Sequence, residues 1–169
     1  MDIMGDKVVL RDVLAQDEEL LQTLIEDPEI IKVTGGYSHS ASCDHRTRQF
    51  FSASHPGTYY IIADQAEPQS GFGIIVLSNA DIKEKTAELY IKLIKSARRK
   101  GYGRDAVSCL ISHAFSEWKL KHIYASILEK NTASRKLFEA CGFQLEGRHK
   151  SSLHRDGQEQ NVCLYGRGC

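Results

Sequence analysis

From Ala87 to Leu93 apolar and polar side chains alternate: Ala87, Leu89, Ile91 and Leu93 fall on one face, Glu88, Tyr90 and Lys92 on the other. A period of two predicts a strand, ended after Ile94 by an abrupt change to polar residues. From Ala106 the period lengthens, and Ala106, Val107, Leu110, Ile111, Ala114, Phe115 and Trp118 form the apolar stripe of an amphipathic helix. His122 to Leu128 reads as the next strand. The three elements make a strand–helix–strand unit whose strands should run parallel.

The same patterns organise the rest of the chain. Lys7–Asp12 predicts a strand, and 17–26 a helix with Leu20, Leu21, Leu24 and Ile25 on one side and Asp17 as its cap. Asp27-Pro28 opens a short helical piece stopped by Gly35-Gly36, and a further helix is expected over Asp44–Ala53. Tyr59–Ala63 and Gly71–Leu77 predict an antiparallel hairpin, with a charged turn at Asp81–Lys85 before the strand at 86–94. Asn131–Cys141 reads as a helix stopped by Gly142. Phe143–Gly147 and Gln160–Tyr165 read as a strand pair around the turn Arg155-Asp156-Gly157. Without repeat or linker, residues 1–169 are expected to form one domain.

Between the strand at 86–94 and its helix lies Lys95-Ser-Ala-Arg-Arg-Lys100, then Gly101 and Gly103. Glycines let a backbone close around a ligand, and the free N–H groups of a helix start bind anions. Arg98, Arg99, Lys100 and Arg104 add positive charge. Each exposed contact of this kind contributes only about 0.3–1 kcal/mol, so several must converge, and a diphosphate can use several. The backbone N–H groups from Arg99 through Tyr102 to Arg104 are the candidate donors, set against a merely solvated basic turn. The phosphate loop Gly-x-x-x-x-Gly-Lys-Ser/Thr occurs nowhere in the chain. Gly101-Tyr-Gly103-Arg-Asp-Ala106, with Glu129 further on, fits the dinucleotide fingerprint. That fingerprint should follow its strand directly, whereas a basic run intervenes here. Only about forty residues follow Glu129, too few for a doubly wound sheet.

Charge and composition narrow the field. Lys and Arg total 22 against 22 Asp and Glu, so nothing global points to nucleic acid or an acidic membrane surface. No apolar run approaches the roughly 20 residues of a membrane helix, and the first residues lack the apolar stretch of a signal peptide. A cytoplasmic location is expected, with neither nucleic acid nor membrane as partner. Cys43, Cys109, Cys141, Cys163 and Cys169 are scattered without a Cys-x-x-Cys, which suits a reducing compartment.

Arg98-x-x-Gly101-x-Gly103, followed by Asn131-x-x-Ser134-x-x-Leu137-Phe138 and Cys141-Gly142-Phe143, resembles the GNAT superfamily of acetyl-CoA-dependent acetyltransferases over nearly the whole chain. The Glu146-Gly147 ending is most similar to the branch of ribosomal-protein N-terminal, spermidine and amino-sugar acetyltransferases. The resemblance implies an α/β fold: a mixed, mostly antiparallel six- to seven-stranded sheet flanked by helices, its central parallel pair splayed for acetyl-CoA. It implies direct transfer of acetyl to a primary amine, on a small molecule or peptide, and a homodimer is common among such proteins. A thioester carbonyl would meet a backbone N–H within Ile91, Lys92 and Leu93, with Ile94 beside the pantetheine arm, and Asn131 and Ser134 would contact the coenzyme.

An amine of pKa about 10 is protonated at neutral pH, so transfer benefits from a base. Glu88 is the candidate, against the alternative of an ordinary exposed strand glutamate. Many relatives carry a tyrosine at the position of Phe138 to protonate the departing thiolate, and phenylalanine cannot donate. Ser134, Tyr90 or a water is left for that role. Cys43, His45 and His39 lack a structural-metal spacing and read as surface residues, so no metal is expected. Cys141 as a nucleophile is weighed against a buried helix end. The reading of a different class is a dinucleotide-binding or non-catalytic acyl-CoA-sensing module, which turnover on any amine would eliminate.

Overall fold

The computed structural model describes residues 2–26, 58–81, 83–151 and 160–169. The helical segments expected at 28–33 and 44–53, the turn at 155–157 and residues His39, Cys43 and His45 lie outside the described residues. In chain order the elements are β1 (Ile3–Met4), β2 (Val8–Arg11), α1 (Glu18–Glu26), β3 (Thr58–Asp64), β4 (Gly71–Asp81), β5 (Thr86–Leu93), α2 (Tyr102–Ser116), β6 (His122–Leu128), α3 (Thr132–Ala140), β7 (Gln144–Ser151) and β8 (Gln160–Gly168).

The strands form one eight-stranded sheet in the order β1-β2-β3-β4-β5-β6-β8-β7. Every pair is antiparallel except β5 with β6, which are joined by a crossover through α2 and run parallel. The strand beyond the expected six or seven is β1, two residues pairing Ile3 with Leu10 and Met4 with Val9. It is too short to carry a period. β4 runs on to Asp81 through an irregularity beside Thr86, so the expected charged turn shrinks by one residue.

Alternation divides the sheet cleanly. Leu10, Ile62, Ile75, Leu77, Leu89, Ile123, Ala125 and Tyr165 face α2 and α3 and build the core with the stripe Ala106, Val107, Leu110, Ile111 and Ala114. Full burial of one such aliphatic side chain stabilises by about 1.5–3 kcal/mol. Phe138 of α3 is 2% exposed and packs edge-on against Phe143 with ring centroids 4.9 Å apart. Gly142, at φ 85°, reverses the chain between them.

α1 lies against β4 on the opposite face, where Leu20 reaches the corner formed by Gly71 and Ile61. Asp17 does not cap α1 as the sequence suggests. Its carboxylate accepts the Leu14 N–H at 2.7 Å and both terminal nitrogens of Arg11, at 2.7 and 2.8 Å. Arg11 also donates from Nε to the Pro68 carbonyl at 2.6 Å and from Nη1 to the Asp12 carbonyl at 3.0 Å. Both side chains are buried, so β2, the turn before α1 and the β3–β4 loop are locked by one satisfied network.

Candidate active site

The decisive feature is a parting of strands. β5 and β6 pair only at Thr86–His122, Ala87–Ile123 and Glu88–Tyr124. Beyond that rung β5 continues against β4 to Leu93, and β6 continues against β8 to Leu128. A wedge-shaped gap therefore opens in the middle of the sheet, with no covalent break and no loss of its outer pairing.

The direction of the backbone groups in the gap follows from register. The Ile94 N–H donates to the Phe72 carbonyl of β4 at 2.9 Å. In an antiparallel pair such bonded residues alternate with residues whose N–H points away. Lys92 and Tyr90 therefore also aim their N–H at β4, whereas Ile91 and Leu93 aim theirs into the gap. Of the amide donors suggested by sequence, Lys92 is turned away. Ile94 is committed at both ends, its carbonyl accepting the Ala97 N–H at 3.0 Å. The Leu93 carbonyl also points into the gap and accepts from Arg98 Nε at 3.1 Å. Arg98 thus ties the basic loop to the end of β5.

Residues 95–97 form a single 3-10 turn, and the chain then takes two left-handed steps, at Arg99 (φ 62°) and Gly101 (φ 83°). The second favours glycine. Gly101 is the N-cap of α2 and supplies no capping side chain, so among the described residues the amides of Tyr102, Gly103 and Arg104 open the helix without a side-chain cap. α2 begins four residues before its apolar stripe for this reason. Gly103 is buried where a Cβ would stand 3.4 Å from both Leu93 and Leu137, which places the helix start at the mouth of the gap. The Tyr102 ring packs on Phe72, with centroids 4.6 Å apart, and its O–H donates to Asp64 at 2.9 Å. The Ala66 N–H and this hydroxyl hold the Asp64 carboxyl below its ordinary range. Only the backbone of Tyr102 faces the loop's amide cluster.

Glu88 sits at the apex of the gap and is 6% exposed, so the reading of an ordinary exposed strand glutamate is corrected. Its neighbour on β6 is Tyr124, on the same face; burial and then the Glu88 charge push the Tyr124 hydroxyl up. On that face too, Glu146 crosses Gly166 to meet His122 Nε2 at 2.8 Å, from an irregular position in β7.

Tyr90 shares the Glu88 face, but Ser134 lies on α3, over the other face. The candidates for the proton donor are thus on opposite sides of the sheet and can meet only through the gap. Asn131 caps α3, its Oδ1 accepting the Ser134 N–H at 3.3 Å. Cys141 and Cys109 do not supply a thiolate: burial raises both thiols, that of Cys109 to about 12.

Sequence reasoning missed Asp105. Asp105 accepts the backbone N–H groups of Asp6, Lys7 and Val8 at 2.9, 2.7 and 2.9 Å, seating the β1–β2 turn on the first turn of α2. The partners are nearly a hundred residues apart, and no local pattern announces them.

Residues 7–144 match the family described as Acetyltransferase (GNAT) domain. The chain belongs to this family of enzymes, and its co-substrate is acetyl-CoA. It is 24% identical over 165 residues, 95% of this chain and 92% of the relative, to the uncharacterized N-acetyltransferase YoaA of Bacillus subtilis. A GNAT-family acetyltransferase from Bacillus anthracis superposes with a TM-score of 0.82 at 21% identity, over 99% of this chain and 98% of that one. Spermidine N-acetyltransferase from Vibrio cholerae, in complex with CoA and spermine, gives a TM-score of 0.81 at 19% identity, over 95% of each chain. These likenesses establish the shared fold, and membership of the acetyltransferase family replaces the alternative of a dinucleotide-binding module. Among the described residues no three His, Cys, Asp or Glu side chains are grouped to hold a metal, and no helix is long and apolar enough to cross a membrane.

Proposed function

We propose that this acetyltransferase works as one domain, holds acetyl-CoA across the β5–β6 gap, and acetylates a small primary amine, a polyamine foremost, presented on the Glu88 face. The observation that carries the reading is the parting of β5 and β6 immediately after the Glu88–Tyr124 rung. It leaves room for a thin pantetheine arm between the strands, next to a buried carboxylate.

The amides from Arg99 to Arg104 take the diphosphate, helped by the charges of Arg98, Arg99, Lys100 and Arg104. The Ile91 N–H, with Leu93 next in line, stabilises the oxygen that becomes negative when the amine attacks the thioester. A preorganised donor in such a place contributes about 2.7–4 kcal/mol to the transition state. Glu88 accepts the proton that the ammonium must lose before it can attack, directly or through water. The thiolate leaves toward the α3 side, where Phe138 offers no proton and Ser134 is the nearest candidate on the helix; Tyr90 is the candidate from the other face.

The polyamine choice is supported by the spermidine N-acetyltransferase that shares the fold over 95% of both chains and was crystallised with spermine. The test is thiol release from acetyl-CoA with spermidine, spermine, an amino sugar and a short peptide with a free N-terminus. The highest kcat/KM is expected for a polyamine. Turnover with the peptide alone would overturn the choice and leave the acetyltransferase activity standing.

A further inference from the structure

A row of three side chains crosses the sheet at the apex of the gap. Ser78 of β4 stands opposite Glu88 of β5, and Glu88 stands opposite Tyr124 of β6, so all three share one face. Ser78–Glu88 is the last rung before the irregularity in the β4–β5 ladder, and Glu88–Tyr124 is the last before β5 and β6 part. Among the described residues, the Ser78 hydroxyl oxygen is the one buried side-chain polar atom with no hydrogen-bond partner. Such an unpaired group is destabilising, and alanine would fill the same place in the strand without that penalty. A serine kept there, beside a buried carboxylate, points to a partner that arrives with the substrate.

The chemistry of the acceptor supplies that partner. A primary ammonium carries three N–H protons. One passes to Glu88, which frees the lone pair that forms the bond to the thioester carbon. A second leaves the nitrogen once that bond has formed and neutralises the departing thiolate. The third is used by neither step and stays on the amide product. A serine oxygen can accept from it, having two lone pairs and a freely turning O–H. Directly opposite residues on one face of a sheet have Cβ atoms about 4.5–5.5 Å apart, a span that one nitrogen can bridge.

We propose that Ser78 is an acceptor-binding residue whose hydroxyl oxygen accepts the unused N–H of the attacking amine, and that it thereby selects primary over secondary amines. A secondary ammonium has only two N–H protons, both consumed by the reaction, and leaves Ser78 unpaired. A site built to bond an N–H rejects the analogue that lacks it for this reason. The inference rests on the reading of Glu88 as the base on the acceptor face.

The full chain, Ser78→Ala and Ser78→Thr are assayed by thiol release at saturating acetyl-CoA, with spermidine and with spermidine methylated at both terminal nitrogens. If the amino sugar or the peptide proves the better acceptor, that amine and its N-methyl form take their place. Ser78→Ala is expected to raise the KM for spermidine about tenfold with kcat held, because the contact is made equally before and during attack. The methylated amine should react with Ser78→Ala as it does with the native chain, so the preference for the primary amine shrinks by the same factor. Ser78→Thr, which keeps the hydroxyl, should restore it. An unchanged KM for spermidine in Ser78→Ala overturns the proposal. So does an equal loss on both amines, which marks a disturbed strand, or a gain on the methylated amine alone, which marks a serine that only limits space. Glu88→Gln separates the two readings. Slowed turnover in Glu88→Gln beside an unaffected Ser78→Ala leaves the base standing without Ser78, whereas a native rate in Glu88→Gln overturns the base and the proton count on which the selection depends.

Discussion

Glu88→Gln is expected to lower kcat by about 10²–10⁴-fold while leaving the KM for acetyl-CoA unchanged. The substitution keeps the size of a side chain that is 6% exposed beside Tyr124, so packing at the apex of the gap should survive. It removes only the ability to accept a proton. The deficit should shrink as the pH approaches about 10, where an ordinary alkyl amine is already half neutral and needs no base. Steady-state rates at saturating acetyl-CoA across that range check both statements. An unchanged kcat at neutral pH would remove Glu88 from the mechanism.

The second large effect concerns stability. Asp17→Asn should destabilise the protein by about 3 kcal/mol, because it leaves the Arg11 guanidinium buried without its counter-charge. For a chain of this size that corresponds to a fall of about 6–12 °C in Tm. Burial pushes the Asp17 carboxyl up, but the Arg11 hydrogen bonds, the Leu14 N–H and the Arg11 charge together outweigh it and hold it below its ordinary value. A carboxylate whose folded pKa is depressed contributes stability that is complete above its unfolded value, near 3.8, and is lost as the pH falls through the lower folded value. The difference in stability between the native chain and Asp17→Asn should therefore be constant at neutral pH and narrow below about pH 4. Replacing both partners, as Arg11→Met with Asp17→Leu, should recover much of the loss, since a buried pair is often no better than an apolar one of similar volume. Denaturant unfolding at two pH values measures all of this. A gap that widened on acidification would contradict the assigned charge state.

Period was the reliable guide to the elements. β6 runs over the expected His122–Leu128, and β5 differs only at its last residue, because each has an uninterrupted alternation. β1 escaped because two residues have no period. The early start of α2 escaped because Gly103 and Arg104 interrupt its stripe, although the left-handed Gly101 sets the helix boundary. The apolar–polar code also misplaced Glu88: a charged residue among polar neighbours looks exposed, but the parting strands bring it to a buried apex.

The site was legible where its residues are close in sequence. The loop from Arg98 to Arg104 could be read because glycine spacing and charge lie within one turn of chain. The choice among Ile91, Lys92 and Leu93 could not, because it depends on which residues of β5 bond to β4, a matter of register rather than composition. Arg11 with Asp17 and Asp105 with the β1–β2 turn were invisible for a related reason. Each is a polar residue whose partner is chosen by the fold, and only the first pair is even close in sequence.

Calorimetric titration of acetyl-CoA into the native chain and into Gly103→Glu tests the central claim most directly, since it asks for the coenzyme before any acceptor is known. Gly103 lies at the mouth of the gap, with Leu93 and Leu137 within van der Waals reach of any added side chain, and a carboxylate there would oppose a diphosphate. Micromolar binding to the native chain, lost in Gly103→Glu while its circular dichroism is retained, is the expected result. Equal binding by both proteins, or binding by neither, would contradict the placement of the coenzyme between the end of β5 and the start of α2.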